Sequence, residues 1–345
     1  MAEYISFQPS DFFNTVLWTG TGASQAITGV GFQPDFVWGK KRSGAYFHGL
    51  FDSARGATKY IQSDATAAEV TNAESLKTFD VDGFTAGTIG VLNEVAATYV
   101  GWNWKAGTTT GLTGGTITPS AYSINTTSGF SAIAYTGNAI SGATVPHGLG
   151  VAPKMIIVKA LDVGENWRVY HAGVDASPQD KYMILDTTAA VADATWVWND
   201  TAPTSTLFSL GSGGSINASG DDFIAYCFAD VKGYSKFSSY TGNGNADGPF
   251  IYTGFRPSFV MVKKTAGESW AIIDDKRLGY NVANYQLFAN ATSIDTTETR
   301  ADIVSNGFKV RTTNSEYNTV TGTYIYAAFA EFPIVSSNDV PTVAR

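Results

Sequence analysis

The side chains able to do acid–base or metal chemistry are few and scattered. The chain has three histidines, His48, His147 and His171, and no two of them stand at a metal-ligand spacing. His147 lies in Pro146-His147-Gly148-Leu149-Gly150 and reads as a turn residue, while His48 and His171 lie in or beside aromatic strands, so structural roles are expected for all three. Adjacent acids occur at Asp221-Asp222 and Asp274-Asp275. A glycosidase needs two carboxylates flanking the sugar bond, but sequence neighbours on a strand point to opposite faces, and the expected role is turn or edge solubility. Asp80-Val81-Asp82-Gly83 begins like a calcium loop and lacks the downstream bidentate Glu, which leaves a hairpin turn. Cys227 is the only cysteine, which excludes an intramolecular disulfide and a cysteine-rich zinc site. No Gly-x-Ser-x-Gly elbow, phosphate loop or His-Glu-x-x-His helix is present. Gly211-Ser212-Gly213-Gly214 reads as a hairpin. No catalytic residue, metal or cofactor is therefore expected, and the chain does not read as an enzyme.

Aromatic residues are the remaining candidates for function, because exposed Trp and Tyr stack on sugars and form low-entropy contact surfaces. Most have packing roles in view: Trp102 and Trp104 share one face of a strand, and Trp167 and Trp270 occupy matching positions in a repeated pattern. Trp196 and Trp198 differ, since they lie in a segment whose counterparts are polar. Read as a strand, that segment points both rings the same way, toward a ligand or into the local core.

The elements that position these residues follow from a pattern that occurs three times. An aromatic-Thr-Gly turn stands at Trp18-Thr19-Gly20, Tyr135-Thr136-Gly137 and Tyr240-Thr241-Gly242. A proline-led apolar strand follows at Pro34 to Trp38, Pro153 to Lys159 and Pro257 to Lys263, with proline at a strand start, where its missing N–H does no harm. Each copy closes on a buried strand, at Tyr99 to Trp104, Phe223 to Phe228 and Tyr324 to Phe329. With period two, Val100, Trp102 and Trp104 match Ile224, Tyr226 and Phe228 and then Ile325, Ala327 and Phe329, and this is the expected core face. Shorter strands are expected between these anchors, with one short helix over Ala65 to Leu76.

The fold class expected is all-β, with three tandem related β-sandwich domains, jelly-roll-like or concanavalin-like. The boundaries are an N-terminal arm at 1–11, repeats at 12–106, 130–231 and 232–333, a Gly/Thr/Ser linker at 107–129 that is flexible or laid on the surface, and a C-terminal arm at 334–345. Only 15% of residues are charged and the net charge is −8, so the basic footprint that phosphate binding requires is missing and no nucleic-acid partner is expected. No apolar run approaches the length of a bilayer span, and the start lacks a basic region followed by an apolar stretch. Neither membrane insertion nor a classical export signal is expected.

The string Tyr240-Thr241-Gly242-Asn243-Gly244, Asp247-Gly248-Pro249-Phe250 and Tyr252-Thr253-Gly254-Phe255-Arg256-Pro257, with Tyr324 to Glu331 and Val335-Ser336-Ser337, resembles repeat proteins of marine bacteriophages, as does Leu50 to Tyr60. The resemblance covers nearly the whole chain and supplies no catalytic residues. It implies a structural protein of the virion, assembled in the bacterial host cytoplasm, tail-fibre-like and binding host-surface glycan, with capsid decoration or a head fibre as the alternative and a glycan depolymerase as the enzyme rival. It also implies other virion proteins as partners and a homo-oligomer, with a trimer as the form usual for such appendages.

Overall fold

Runs rich in β-branched and aromatic residues, broken by Gly, Asn and Thr turns, favour pleated half-buried or fully buried strands, and the chain is all-β with several sheets stacked in sandwich-like layers. The computed structural model describes residues 7–277, 281, 283–330, 334–335 and 341–342. Among these, no helix is long and apolar enough to cross a membrane.

Four antiparallel strands recur three times in the same spatial order. The lead strands are Phe13–Thr19, Phe130–Thr136 and Ser235–Thr241. Each pairs with its closing strand, Thr98–Trp104, Asp222–Phe228 or Thr323–Ala330. Beyond these lie the proline-led strands Phe36–Lys41, Met155–Ala160 and Pro257–Lys264, and then fourth strands Gly49–Asp52, Arg168–His171 and Ala271–Asp274. A second layer packs outside each, made by Gln25–Thr28 with Gly83–Ala86, by Ala143–Pro146 with Leu207–Leu210, and by Phe250–Tyr252 with Gly307–Val310.

The anchor turns have a mechanical cause. Asn93, Asn217 and Asn318 are fully buried, and each side-chain oxygen accepts the N–H of the residue after the Thr-Gly pair: Thr21, Asn138 or Asn243. The anchor aromatic donates to the carbonyl just before that Asn, from Trp18 Nε1 to Leu92, from Tyr135 Oη to Ile216 and from Tyr240 Oη to Tyr317. A Cβ on Gly20, Gly137 or Gly242 would lie 2.2–2.3 Å from the carbonyl oxygen of Glu94, Ala218 or Thr319, so only glycine fits that approach.

Closing strands are buried on both faces. Trp102, Trp104, Tyr226, Phe228, Ala327 and Phe329 point into one core to which all three copies contribute. The opposite faces, with Tyr99, Phe223 and Tyr324, fill three separate outer cores. The expected core face is thus central to the whole molecule, and this central core crosses the boundaries expected between the copies. Alternation could not tell the two faces apart because both are apolar.

The copies join in a ring. The Glu69 N–H donates to Leu161 O, the Val191 N–H to Thr265 O and the Asp295 N–H to Arg42 O, so the first copy's loop lies on the second, the second's on the third and the third's on the first. The ring repeats one layer inward. Trp167 Nε1 donates to Gln62 O and Trp270 Nε1 to Ile184 O, each at 2.8 Å, and His48 occupies the equivalent place with Nε2 2.9 Å from Phe288 O.

Several local expectations are corrected. Residues 65–76 form no helix; they supply the seam contact of Glu69 and the short strand Val70–Thr71 before Leu76 opens the strand to Asp80. Gly214–Asn217 is a helical turn, not a hairpin, since it delivers Asn217 to its buried site. Residues 107–129 are laid on the second copy: Ala121–Asn125 extends its sheet, and Ile117 and Ile124 are buried in its outer core. Asp80 and Gly83 do pair across a hairpin. Of the expected arms, 1–6, 336–340 and 343–345 lie outside the described residues, as do 331–333 at the end of the third expected repeat, while Pro9–Asp11 is a short 3₁₀ turn and Ile334–Val335 pairs with Pro341–Thr342.

Candidate functional site

The three histidines share one state. Trp38 Nε1 donates to His48 Nδ1, the Leu149 N–H to His147 Nδ1 and the Gly173 N–H to His171 Nδ1. Each ring therefore carries its proton on Nε2 and donates it to a carbonyl, that of Phe288, Thr204 or Tyr326. Burial lowers His147 and His171 to about 4 and pushes His48 well below its ordinary value. Neutral rings with both nitrogens engaged are packing elements. Lys40, Lys159 and Lys263 occupy equivalent buried positions, and burial lowers each to about 8. Their ammonium groups are held by backbone carbonyls, including Thr292 and Thr66 of neighbouring copies and Glu268. Burial pushes the Cys227 thiol up, away from thiolate reactivity.

The acids are committed as well. Asp274 is buried against Arg277 at 2.7 Å and accepts Trp102 Nε1 from the first copy, while its neighbour Asp275 turns to Arg256 and Ser258. Asp52 repeats the arrangement, with Arg55 at 2.6 Å and the Tyr226 hydroxyl of the second copy at 2.6 Å. A surface cavity of ≈ 330 Å³ at the seam of the first and second copies is lined by Glu69, Asp162 and Asp222 among others. There Glu69 pairs with Arg55 and Lys59, Asp162 accepts the Asp222 N–H, and Asp222 accepts the Thr136 hydroxyl. No cluster of three potential metal ligands occurs among the described residues.

A few aromatic residues remain at the surface. Trp196 and Trp198 stand in a helical turn, Thr195–Trp198, ended by Asn199 in the left-handed region at φ 55°. A helical turn sends residues two apart to different sides, and the pair expected on one face is split. Trp198 is 2% exposed in the second copy's outer core, whereas Trp196 is 39% exposed. The Arg168 guanidinium lies 5.1 Å from the Trp196 ring and 5.0 Å from that of Tyr182, and its Nε donates to Ser215 Oγ at 2.7 Å. The cation fixes the two rings as a half-exposed platform. Sequence reasoning missed Arg168 and Tyr182, because nothing in spacing links them to Trp196. It also missed Phe250 and Tyr252, both exposed on the third copy, although the alternation Phe250-Ile251-Tyr252 in an outer strand carried that signal.

Fold and site together define an all-β protein whose histidines and a set of buried acids and bases are spent on packing, and whose exposed aromatic residues include Trp196, Phe250 and Tyr252. The chain belongs to the family described as Domain of unknown function (DUF7483), which it matches over residues 8–333 as one unit spanning all three copies. No curated protein and no solved structure matches it.

Proposed function

We propose that the chain is a structural protein of a bacteriophage virion, exposed on the particle, in which three sandwich repeats close round one core and present a platform that binds host-surface glycan. The observation that carries this reading is Trp196, left 39% exposed and held by Arg168 and Tyr182. An exposed indole clamped in one orientation gives a pyranose ring a flat apolar partner with little ordering cost. Other virion proteins are its proposed neighbours. The three copies complete a ring within one chain, so a homo-oligomer such as a trimer would use the outer surfaces.

Capsid decoration is the second reading, favoured by one feature. The first described residues and the end of the last closing strand meet at one place, where Phe7 and Phe12 pack edge-on against Tyr234 and the Ala330 N–H donates to Tyr234 O. Segments leaving there in both directions could lace into a shell.

Immunogold electron microscopy of purified phage with antibody against the chain tests both. Label on the tail with adsorption lowered by Trp196→Ala is the expected result. Label over the head sinks the tail reading in favour of decoration, and unlabelled particles overturn the virion assignment. Trp198→Ala is not a binding test, because it removes a core side chain.

A further inference from the structure

We infer that the third copy carries a carbohydrate subsite built by Tyr252 and the joint that leads into that copy, and that it takes an acidic pyranose. The inference rests on the glycan-binding reading above and names a different place and a ligand class. In the strand Phe250–Tyr252, Ile251 turns into the outer core at 5% exposure while Phe250 and Tyr252 stand 49% and 65% exposed on the other side. Register identifies their counterparts: Tyr252 faces Gly307 as Thr28 faces Gly83 and Pro146 faces Leu207. The first and second copies thus have Ala26 with Thr28 and Thr144 with Pro146 in these places. Small residues satisfy the fold there, so packing does not account for two large exposed rings.

Tyr252 lines a surface cavity of ≈ 530 Å³ together with Asp230, Lys232, Ser235 and Lys236 of the joint. Its size suits one or two sugar rings. Lys236 pairs with Asp230 at 2.8 Å, and the other Asp230 oxygen accepts the Phe237 N–H. Lys232 is exposed and makes no ion pair among the described residues. The lining therefore carries one excess positive charge on a chain of net charge −8. A ring stacked by its C–H face on Tyr252 brings a carboxylate substituent within the sweep of the Lys232 side chain, a charge-assisted contact that a neutral sugar cannot make.

Calorimetric titration of the full chain tests this, with a tetramannuronate as the acidic probe and a mannotetraose as its neutral counterpart. The expected result is saturable binding of the uronate, weakened about tenfold by Tyr252→Ala, with the preference for acid over neutral sugar lost in Lys232→Ala and untouched in Trp196→Ala. An unchanged melting temperature for Tyr252→Ala secures the comparison. No uronate binding, or equal affinity in Tyr252→Ala, overturns the subsite. If it is overturned while Trp196→Ala still lowers adsorption to host cells, the glycan-binding reading survives without it; if adsorption is indifferent to Trp196 while the uronate binds, that reading has failed and the subsite stands.

Discussion

The seams centred on Asp52 and Asp274 and the seam centred on His171 occupy equivalent positions and are built from different chemistry. At the first two, a carboxylate is buried with an arginine three residues on and accepts a hydrogen bond from the neighbouring copy's closing strand, from Tyr226 or Trp102. At the third, the second copy has His171 and Val174 where the others have Asp and Arg, and the third copy has Ala327 where the others have Trp and Tyr. With no side-chain donor at Ala327, His171 instead donates from Nε2 to the Tyr326 backbone carbonyl at 3.0 Å. Register also puts Phe237 opposite Ala327, where Thr15 faces Trp102 and Ala132 faces Tyr226. A small residue on the closing strand is thus offset by a large one on the lead strand. A ring of equivalent seams tolerates either a charged or a neutral solution, provided every buried polar group finds a partner.

The largest way to break the comparison is to remove one member of a buried pair. Arg55→Met and Arg277→Met are each expected to lower the free energy of unfolding by about 3–5 kcal/mol, because each strands a buried carboxylate. Urea unfolding of the purified variants gives the value, and a loss under about 1 kcal/mol would mean that the pairs contribute nothing a methionine cannot supply.

Acid sharpens the contrast. His171 titrates at about 4 folded against an ordinary value of 6.5, so the unfolded chain binds the extra proton between those values. Its contribution to stability is complete above pH 6.5 and drains away as pH falls toward 4. His147, also lowered to about 4, adds to the same decline. Replacing His171 by Gln should make stability fall less steeply between pH 6 and 5, by about 1.4 kcal/mol per pH unit at most. Parallel profiles for the two proteins would contradict the buried neutral ring.

The smallest effect concerns Ala327, which with Phe237 and Met261 lines a ≈ 20 Å³ apolar cavity in the central core. Ala327→Val should raise stability by about 0.5 kcal/mol by filling that space. A loss of more than about 1 kcal/mol would show that Phe237 already occupies the room a larger residue needs.

Much of the fold was legible because the repeated anchors carry local physics. The aromatic-Thr-Gly turns and the closing strands stand where the spacing put them, while the apolar strands after Pro34 and Pro153 begin two residues past the proline, at Phe36 and Met155, and only Pro257 opens its strand as expected. The buried asparagines were legible in principle, since Asn93, Asn217 and Asn318 each fall five residues before a closing strand. The ring was not, because alternation reports burial and not the partner, and the closing strands are apolar on both faces. The helical turn at Thr195–Trp198 is a single turn, too short for a 3.6-residue period to show, and so Trp196 and Trp198 read as neighbours on one face. Arg168 and Tyr182 come to Trp196 from other strands, a meeting that a linear reading does not contain.

The ring also favours an order of assembly. Two of its indole contacts join residues 105 and 86 positions apart, Trp167 to Gln62 and Trp270 to Ile184, whereas His48 and Phe288 are 240 positions apart. Closing a longer loop costs more chain entropy, and contacts distant in sequence slow folding. The junction of the third copy with the first is therefore expected to form last, and a chain that has not closed it would leave the aromatic faces of Trp102, Phe259 and Phe329 open to water and to other chains.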